Sequence, residues 1–161
     1  MIHRLDYTQI VPGEIATVFA FFKNPRNLEA ITPPWLRFRV QEVSDDEVRE
    51  GTRIAYRVRW QIFPISWESR ITEYEENRRF ADEMVRGPYR RWYHRHLFRD
   101  VPGGVEIHDA VAYEMPFGPL GRLTHAFLVR RQLEAIFAYR QVKIAAMFGA
   151  HERAPLGTHL I

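Results

Sequence analysis

The hydrophobic period of this chain changes twice, and those two changes leave few folds open. Between Glu14 and Lys23 the apolar residues Ile15, Val18, Phe19 and Phe22 recur at i, i+3, i+4 and i+7, the spacing of one helix face. From about Leu36 the period drops to two. Leu36, Phe38 and Val40 alternate with Arg37, Arg39 and Gln41, and Ile54, Tyr56, Val58, Trp60 and Ile62 alternate with Arg53, Ala55, Arg57, Arg59 and Gln61. Alternation of this kind gives strands with one apolar and one polar face. From about Leu120 to Phe148 the helical period returns, with Ala126, Val129, Leu133, Ile136, Phe137, Ile144 and Met147 on one face. A helix of that span is roughly 43 Å long at about 1.5 Å per residue. It must bury its stripe on the strands that precede it, so the chain is expected to be α+β with an antiparallel meander.

The punctuation agrees. Residues 3–11 read as a first strand, closed by Pro12-Gly13. Asn24-Pro25 stops the first helix and starts a second short one. That helix ends before Pro33-Pro34, because a residue preceding proline resists the helical region. Pro64 is expected to end the third strand, and Trp67, Ser69 and Ile71 to face inward on a fourth. A fifth strand covers about 80–86. Gly87-Pro88 leads to a sixth over about 90–99, and Pro102-Gly103-Gly104 to a seventh over about 104–114. One domain is expected over residues 1–150. The tail 151–161, with Pro155 and Gly157, is expected to carry no fixed structure.

Composition removes several chemistries. There is no cysteine, hence no disulfide, thiol nucleophile or thiolate-bound metal. No apolar run reaches the ~18 residues of a membrane span, and Asp6, Gln9 and Pro12 interrupt the place a signal peptide's apolar core would occupy. A cytoplasmic protein without a transmembrane segment is the expectation. The net charge is only +3, with 23 basic and 20 acidic residues interleaved, so no specific nucleic-acid partner is expected. The phosphate-cradling, zinc-protease and nucleophile-elbow motifs are absent.

What remains is a set of polar residues on apolar faces. The sixth strand puts Trp92, His94, His96 and Phe98 on one side. The seventh puts Val105, Ile107, Asp109, Val111 and Tyr113 on one side. If the turn sets Val101 opposite Gly104, then His96 falls opposite Asp109, Phe98 opposite Ile107 and Trp92 opposite Tyr113. A bulge at Gly104 would break that pairing. A carboxylate beside an inward histidine makes a general acid–base pair or, equally, a structural buried hydrogen bond. Two histidines at i and i+2 can share a metal. No third ligand lies close in sequence, so the pair is expected to be metal-free, and no cofactor is assigned. Asp82 shares a face with Phe80 and Met84. Arg140 falls about 340° round the helix from Leu133, in the middle of the apolar stripe. A buried guanidinium needs a counter-charge; Asp109 first and Asp82 second are the inward acids on offer. The aromatic residues Trp35, Phe38, Tyr56, Trp60, Trp67, Phe80, Trp92, Tyr113 and Phe137 fall on inner faces, as in the wall of a small-molecule pocket.

The segments VPGEIATVFAFFKNPRNLEAITPPWL (11–36), RFADEMVRGPYRRWYHRHLF (79–98), HDAVAYEMPFGPLG (108–121) and LEAIFAYR (133–140) resemble the START/Bet v 1-like (SRPBCC) helix-grip superfamily, and within it a bacterial polyketide cyclase/dehydratase-like branch. The resemblance covers about residues 3–148. It implies a curved seven-stranded antiparallel sheet wrapped around a long C-terminal helix, two short helices between strands 1 and 2, and a cavity between sheet and helix. It implies a hydrophobic, cyclic or lipid-like small molecule as partner; the inner-face residues Tyr56, Trp60, Trp67, Phe80, Asp82, Trp92, Tyr113, Phe137 and Arg140 are the ones expected to bind it. The protein is expected to be a monomer or homodimer. Two other readings stay open. One is an enzyme acting on a polyketide-like substrate, with His94 or His96 and Asp109 moving protons and Arg140 or Tyr113 orienting a carbonyl. The other is an interaction module using the outward arginines Arg37, Arg39, Arg53, Arg57 and Arg59.

Overall fold

The computed structural model describes residues 1–60, 62–116 and 128–149, and of Trp60 the backbone alone. The chain runs β1 (Ile2–Val11), α1 (Ile15–Lys23), α2 (Leu28–Ile31), β2 (Arg39–Val43), β3 (Arg53–Trp60), β4 (Phe63–Glu75), β5 (Arg79–Arg86), β6 (Arg91–Val101), β7 (Gly104–Glu114) and α3 (Arg130–Phe148). The strands form one antiparallel sheet in the order β1-β7-β6-β5-β4-β3-β2. Six strands follow one another as a meander. β1 reaches the far edge because α1 and α2 carry the chain across to β2. This is the helix-grip architecture expected above.

The register of β6 and β7 is what positions the site, and it follows the turn. Val101 pairs with Gly104, Phe98 with Ile107, His96 with Asp109 and Trp92 with Tyr113. Gly104 is required here: its φ is +139°, and a Cβ added to it would stand 2.0 Å from the Val11 carbonyl oxygen. Period two then holds along both strands, with alternate residues buried from Trp92 to Phe98 and from Val105 to Tyr113.

Two apolar clusters meet α3. Phe19 and Phe22 of α1 join Phe80, Phe98, Ile107 and Ile144 in one; Leu5, Trp92, Val111, Tyr113, Leu133 and Phe137 form the other. Phe19 is fully buried and meets Phe80 and Phe98 edge-on at 5.8 and 5.1 Å. The helix is fixed to β1 by Phe137 stacked on Tyr7 at 4.6 Å and by the Gln9 amide donating to the Gln141 carbonyl at 2.8 Å. It ends at Gly149, in the left-handed region, whose N–H returns to the Ala145 carbonyl.

Several local expectations need correction. Leu36 belongs to a 3₁₀ turn, Pro34–Leu36, closed by Arg37 at φ 43°, so β2 starts at Arg39. Pro33 and Pro34 fix φ and withhold the N–H groups a strand would need there. Trp35 is half-exposed, lying edge-on to Tyr139, and is no inner-wall residue. Pro64 does not end the third strand. It lies in β4 opposite Arg59, the last pair of the two strands is Trp60 with Phe63, and Ile62 is exposed. Pro64 is tolerated because β5 pairs with β4 only from Glu68 onward, so its missing N–H faces no second strand. The expected helix start near Leu120, with Ala126, lies outside the described residues, as do the tail 151–161 and Gln61. On the last turn of α3, Phe148 rather than Met147 turns inward, because the neighbour there is Phe21 of α1 and not the sheet.

Candidate functional site

A cavity of about 490 Å³ opens between the concave sheet and α3. Leu133, Ile136 and Phe137 of α3 form one side; Tyr56, Val58, Ile65 and Trp67 of β3 and β4 form the other; Leu36 and Phe38 close a third. Of the residues expected at the site, Tyr56, Trp67, Phe80, Asp82, Trp92, His94, His96, Phe137 and Arg140 line this cavity. Tyr113 does not: it is fully buried behind Trp92 and Tyr89, 5.9 and 5.6 Å away ring to ring. The Trp60 side chain lies outside the described residues.

The polar end is built by three adjacent strands. Cross-strand pairing puts Asp82 of β5 opposite His94 of β6, and His96 opposite Asp109 of β7. Asp109 sits behind the histidines. Its Oδ1 is 3.1 Å from His94 Nε2, a buried hydrogen bond, and 2.6 Å from His96 Nδ1. The second contact lies off the ring's N–H axis, so it is close electrostatics rather than an aligned hydrogen bond. Asp82 is held from the other side. Trp67 Nε1 donates to Ser69 Oγ at 3.0 Å, and Ser69 Oγ donates to Asp82 Oδ2 at 2.8 Å. That leaves Asp82 Oδ1 facing His94 Nδ1 at 3.9 Å. The two imidazole rings are 3.9 Å apart, and Phe80 stacks on His96 at 4.3 Å.

Burial dominates the electrostatics. It pushes the Asp82 carboxyl up from the usual carboxylate range, against the opposing pull of His94, the Ser69 bond and Arg140. Burial, then the neighbouring His94, lowers His96 to about 3, although Asp109 favours its protonation. Burial also works against the Asp109 anion. The Arg140 charge, His96 and the imidazole hydrogen bonds outweigh it together and hold that carboxyl well below its ordinary value.

Arg140 corrects the sharpest sequence expectation. It is buried in the middle of the stripe as its place on the helix implies, but it makes no ion pair with Asp109 or Asp82 among the described residues, and its Nε and Nη2 have no hydrogen-bond partner. Its guanidinium lies over the Phe22 ring, 5.7 Å from the centroid. The physical reason is the cavity itself. It separates the helix from the strands, and Asp109 is already taken by the histidines. Arg140 acts on both acids through space alone.

Two features escaped the sequence reading. The alternation turns Ser69 inward between Trp67 and Ile71, but it gives no sign that this hydroxyl holds Asp82. The third ligand-type group beside the histidine pair was also missed. Asp82, His94 and His96 bring donor atoms within 4.8 Å of one another, so the expectation of no close third ligand does not hold.

Of the outward arginines Arg37, Arg39, Arg53, Arg57 and Arg59, two are engaged with carboxylates among the described residues, and Arg95 on the same sheet forms a third such pair. Arg39 pairs with Glu29 at 3.0 Å, Arg53 with Glu68 at 2.8 Å and Arg95 with Glu73 at 3.1 Å. The sheet's outer face is thus a mixed lattice of both signs. No helix among the described residues is long and apolar enough to cross a membrane.

Residues 11–138 match the family described as polyketide cyclase / dehydrase and lipid transport. The comparison with curated proteins finds no match. Among solved structures, the protein CV1439 from Chromobacterium violaceum is 12% identical, with 93% of this chain and 99% of that one covered and a TM-score of 0.68. TTHA0849 from Thermus thermophilus is 15% identical over 90% of this chain and 99% of its own, with a TM-score of 0.64. The major latex-like protein 151 of Panax ginseng is 12% identical over 92% and 98%, with a TM-score of 0.63. At these identities the likeness is one of fold.

Proposed function

The chain belongs to the polyketide cyclase / dehydrase and lipid transport family of the helix-grip superfamily, and on that premise we propose that it binds an apolar small molecule, cyclic or lipid-like, between sheet and α3. The observation that carries the reading is the cavity: about 490 Å³, walled mainly by aromatic and aliphatic side chains, with Asp82, His94, His96 and Arg140 among its few polar lining groups. Pockets for small molecules run to about 300–1,000 Å³ and share this division of labour, apolar walls for affinity and a few polar groups for orientation. Native mass spectrometry of gently purified protein should show a co-purifying small molecule. A neutral fluorophore such as N-phenyl-1-naphthylamine should bind the emptied protein. Ile136→Trp, which projects a larger ring into the cavity from the helix side, should weaken that binding while the unfolding transition stays cooperative. Unchanged binding in Ile136→Trp would refute the reading.

A second reading rests on the buried His94–Asp109 hydrogen bond. Asp109 fixes one tautomer of His94 and leaves the other ring nitrogen toward Asp82 and the cavity, an arrangement fit to move a proton on a polyketide-like substrate. If the protein is such an enzyme, His94→Ala should lose turnover and keep ligand binding. If it is a carrier, the same change alters affinity alone. The basic-face reading has less support, because two of its five arginines, Arg39 and Arg53, are paired with acids. It requires a partner whose binding weakens steeply with salt.

A further inference from the structure

We propose that Asp82, His94 and His96 form a site for one divalent transition-metal ion at the polar end of the cavity. The inference does not rest on the nature of the apolar ligand. The three donors come from paired strands: His94 and His96 are two apart on the same face of β6, and Asp82 lies opposite His94 on β5. Their donor atoms lie within 4.8 Å of one another. Three donors about 2.0–2.2 Å from one ion and on the same side of it stand roughly 3.0–3.6 Å apart, so the widest pair must draw together by about an ångström or slightly more to close on a metal. Two imidazoles and a carboxylate on one side of an ion are a donor set suited to first-row divalent metals.

The outer groups point the same way. Imidazole ligands usually tie their other nitrogen to a carboxylate, which orients the ring and fixes the tautomer. Asp109 Oδ1 stands beside His94 Nε2 and His96 Nδ1, so His94 Nδ1 and His96 Nε2 are the nitrogens left over. Asp82 is treated alike: Ser69 ties Oδ2 and leaves Oδ1, the oxygen nearest His94 Nδ1. His94 and Asp82 thus each have one atom hydrogen-bonded from behind and one unspent, His96 has Nδ1 close to Asp109 and Nε2 unspent, and all three line the cavity.

The charge count supports a cation. Among the described residues of the cluster, two carboxyl groups, Asp82 and Asp109, stand against one guanidinium, Arg140. Three protein ligands leave coordination positions open, and here they open on the apolar chamber, where a ligand oxygen could reach them.

The test uses the full chain, stripped with a chelator and dialysed. Calorimetric titration with Zn²⁺ should give one ion per chain, and Co²⁺ should produce visible d–d absorption bands. His96→Gln and Asp82→Asn should each weaken Zn²⁺ binding at least tenfold. Asp109→Asn should weaken it roughly 10–100-fold without removing a ligand. Arg140→Met should tighten it, since a nearby positive charge is gone. Circular dichroism of each metal-free variant reports folding. Should Asp82→Asn fail to fold, Ser69→Ala takes its place with an expected loss of several-fold. Substoichiometric binding by the wild type, or affinity unaltered in His94→Gln/His96→Gln, would overturn the proposal and leave the cluster as a proton-sharing hydrogen-bond network.

Discussion

His96 offers a quantitative check on the buried cluster. The ring is 4% exposed, stacked on Phe80 and pressed against His94, and burial together with that neighbour lowers it to about 3. An unfolded histidine titrates near ~6.5. Between those values the unfolded chain takes up a proton that the folded chain refuses, so stability rises with pH across the window. The contribution is complete above about pH 6.5 and is lost as the pH falls toward 3. At about 1.4 kcal/mol per unit, the loss is ~2 kcal/mol by pH 5 and at most ~5 kcal/mol by pH 3. Asp109 extends the trend: its depressed carboxyl stabilises the fold above the ordinary carboxylate value and gives that up only at lower pH. Asp82 has the opposite sign, because a raised carboxyl costs stability as the pH climbs through its titration. The assay is urea denaturation of chelator-treated protein, followed by tryptophan fluorescence from pH 7.5 to 5, beside His96→Gln, which cannot titrate. The wild type should lose about 2 kcal/mol over that range and the variant less than half as much. A flat wild-type profile, or equal slopes in the two proteins, would refute the assignment of a neutral, desolvated His96.

Three further outcomes follow from packing and surface charge. Gly104→Ala should cost at least ~2 kcal/mol in thermal or urea unfolding, because a Cβ there meets the Val11 carbonyl oxygen and the backbone is in a glycine conformation. Phe19→Ala should cost about 3–5 kcal/mol by the same measurement, since the ring is fully buried among Phe80, Phe98 and Tyr74. A double-mutant cycle on Arg53 and Glu68 should return under ~1 kcal/mol, vanishing in 1 M salt, as befits an exposed pair.

Much of the fold could be read from residues alone where the signal was local. The β6–β7 register came from one tight turn and a strict alternation, and that was enough to bring His96 and Asp109 together. Asp82 shows the limit. Its meeting with His94 depends on the turn at residues 87–90 and on a sheet that bulges between β4 and β5, neither of which declares its register in sequence. Arg140 shows another limit. Periodicity gives the direction of a side chain on a helix but not the width of the space in front of it. Arg140 was expected to touch an acid, and it faces a chamber instead. Leu36 and Trp35 failed for a third reason: consecutive prolines imposed a 3₁₀ turn on a stretch whose pattern looked extended.

The acids and imidazoles of the chamber and most of its apolar wall are carried by different lengths of chain, with the polar Ser69 and Arg140 on the wall side. Asp82, His94, His96 and Asp109 hang on three neighbouring hairpin strands whose register is locked by Gly104 and by dense aromatic packing. The walls that meet the body of a guest come from β3, β4 and one face of α3. Val58, Ile65 and Ile136 can therefore be enlarged, shrunk or reshaped without disturbing a single contact of the buried acids and imidazoles. The molecule is divided into a fixed head and an adjustable body. Variation in size and shape selectivity is cheap for such a chain, whereas a change of chemistry requires breaking the sheet's most constrained hairpin. A library randomised at those three wall positions should yield folded proteins of altered guest preference at high frequency, and one randomised at the four polar positions should not.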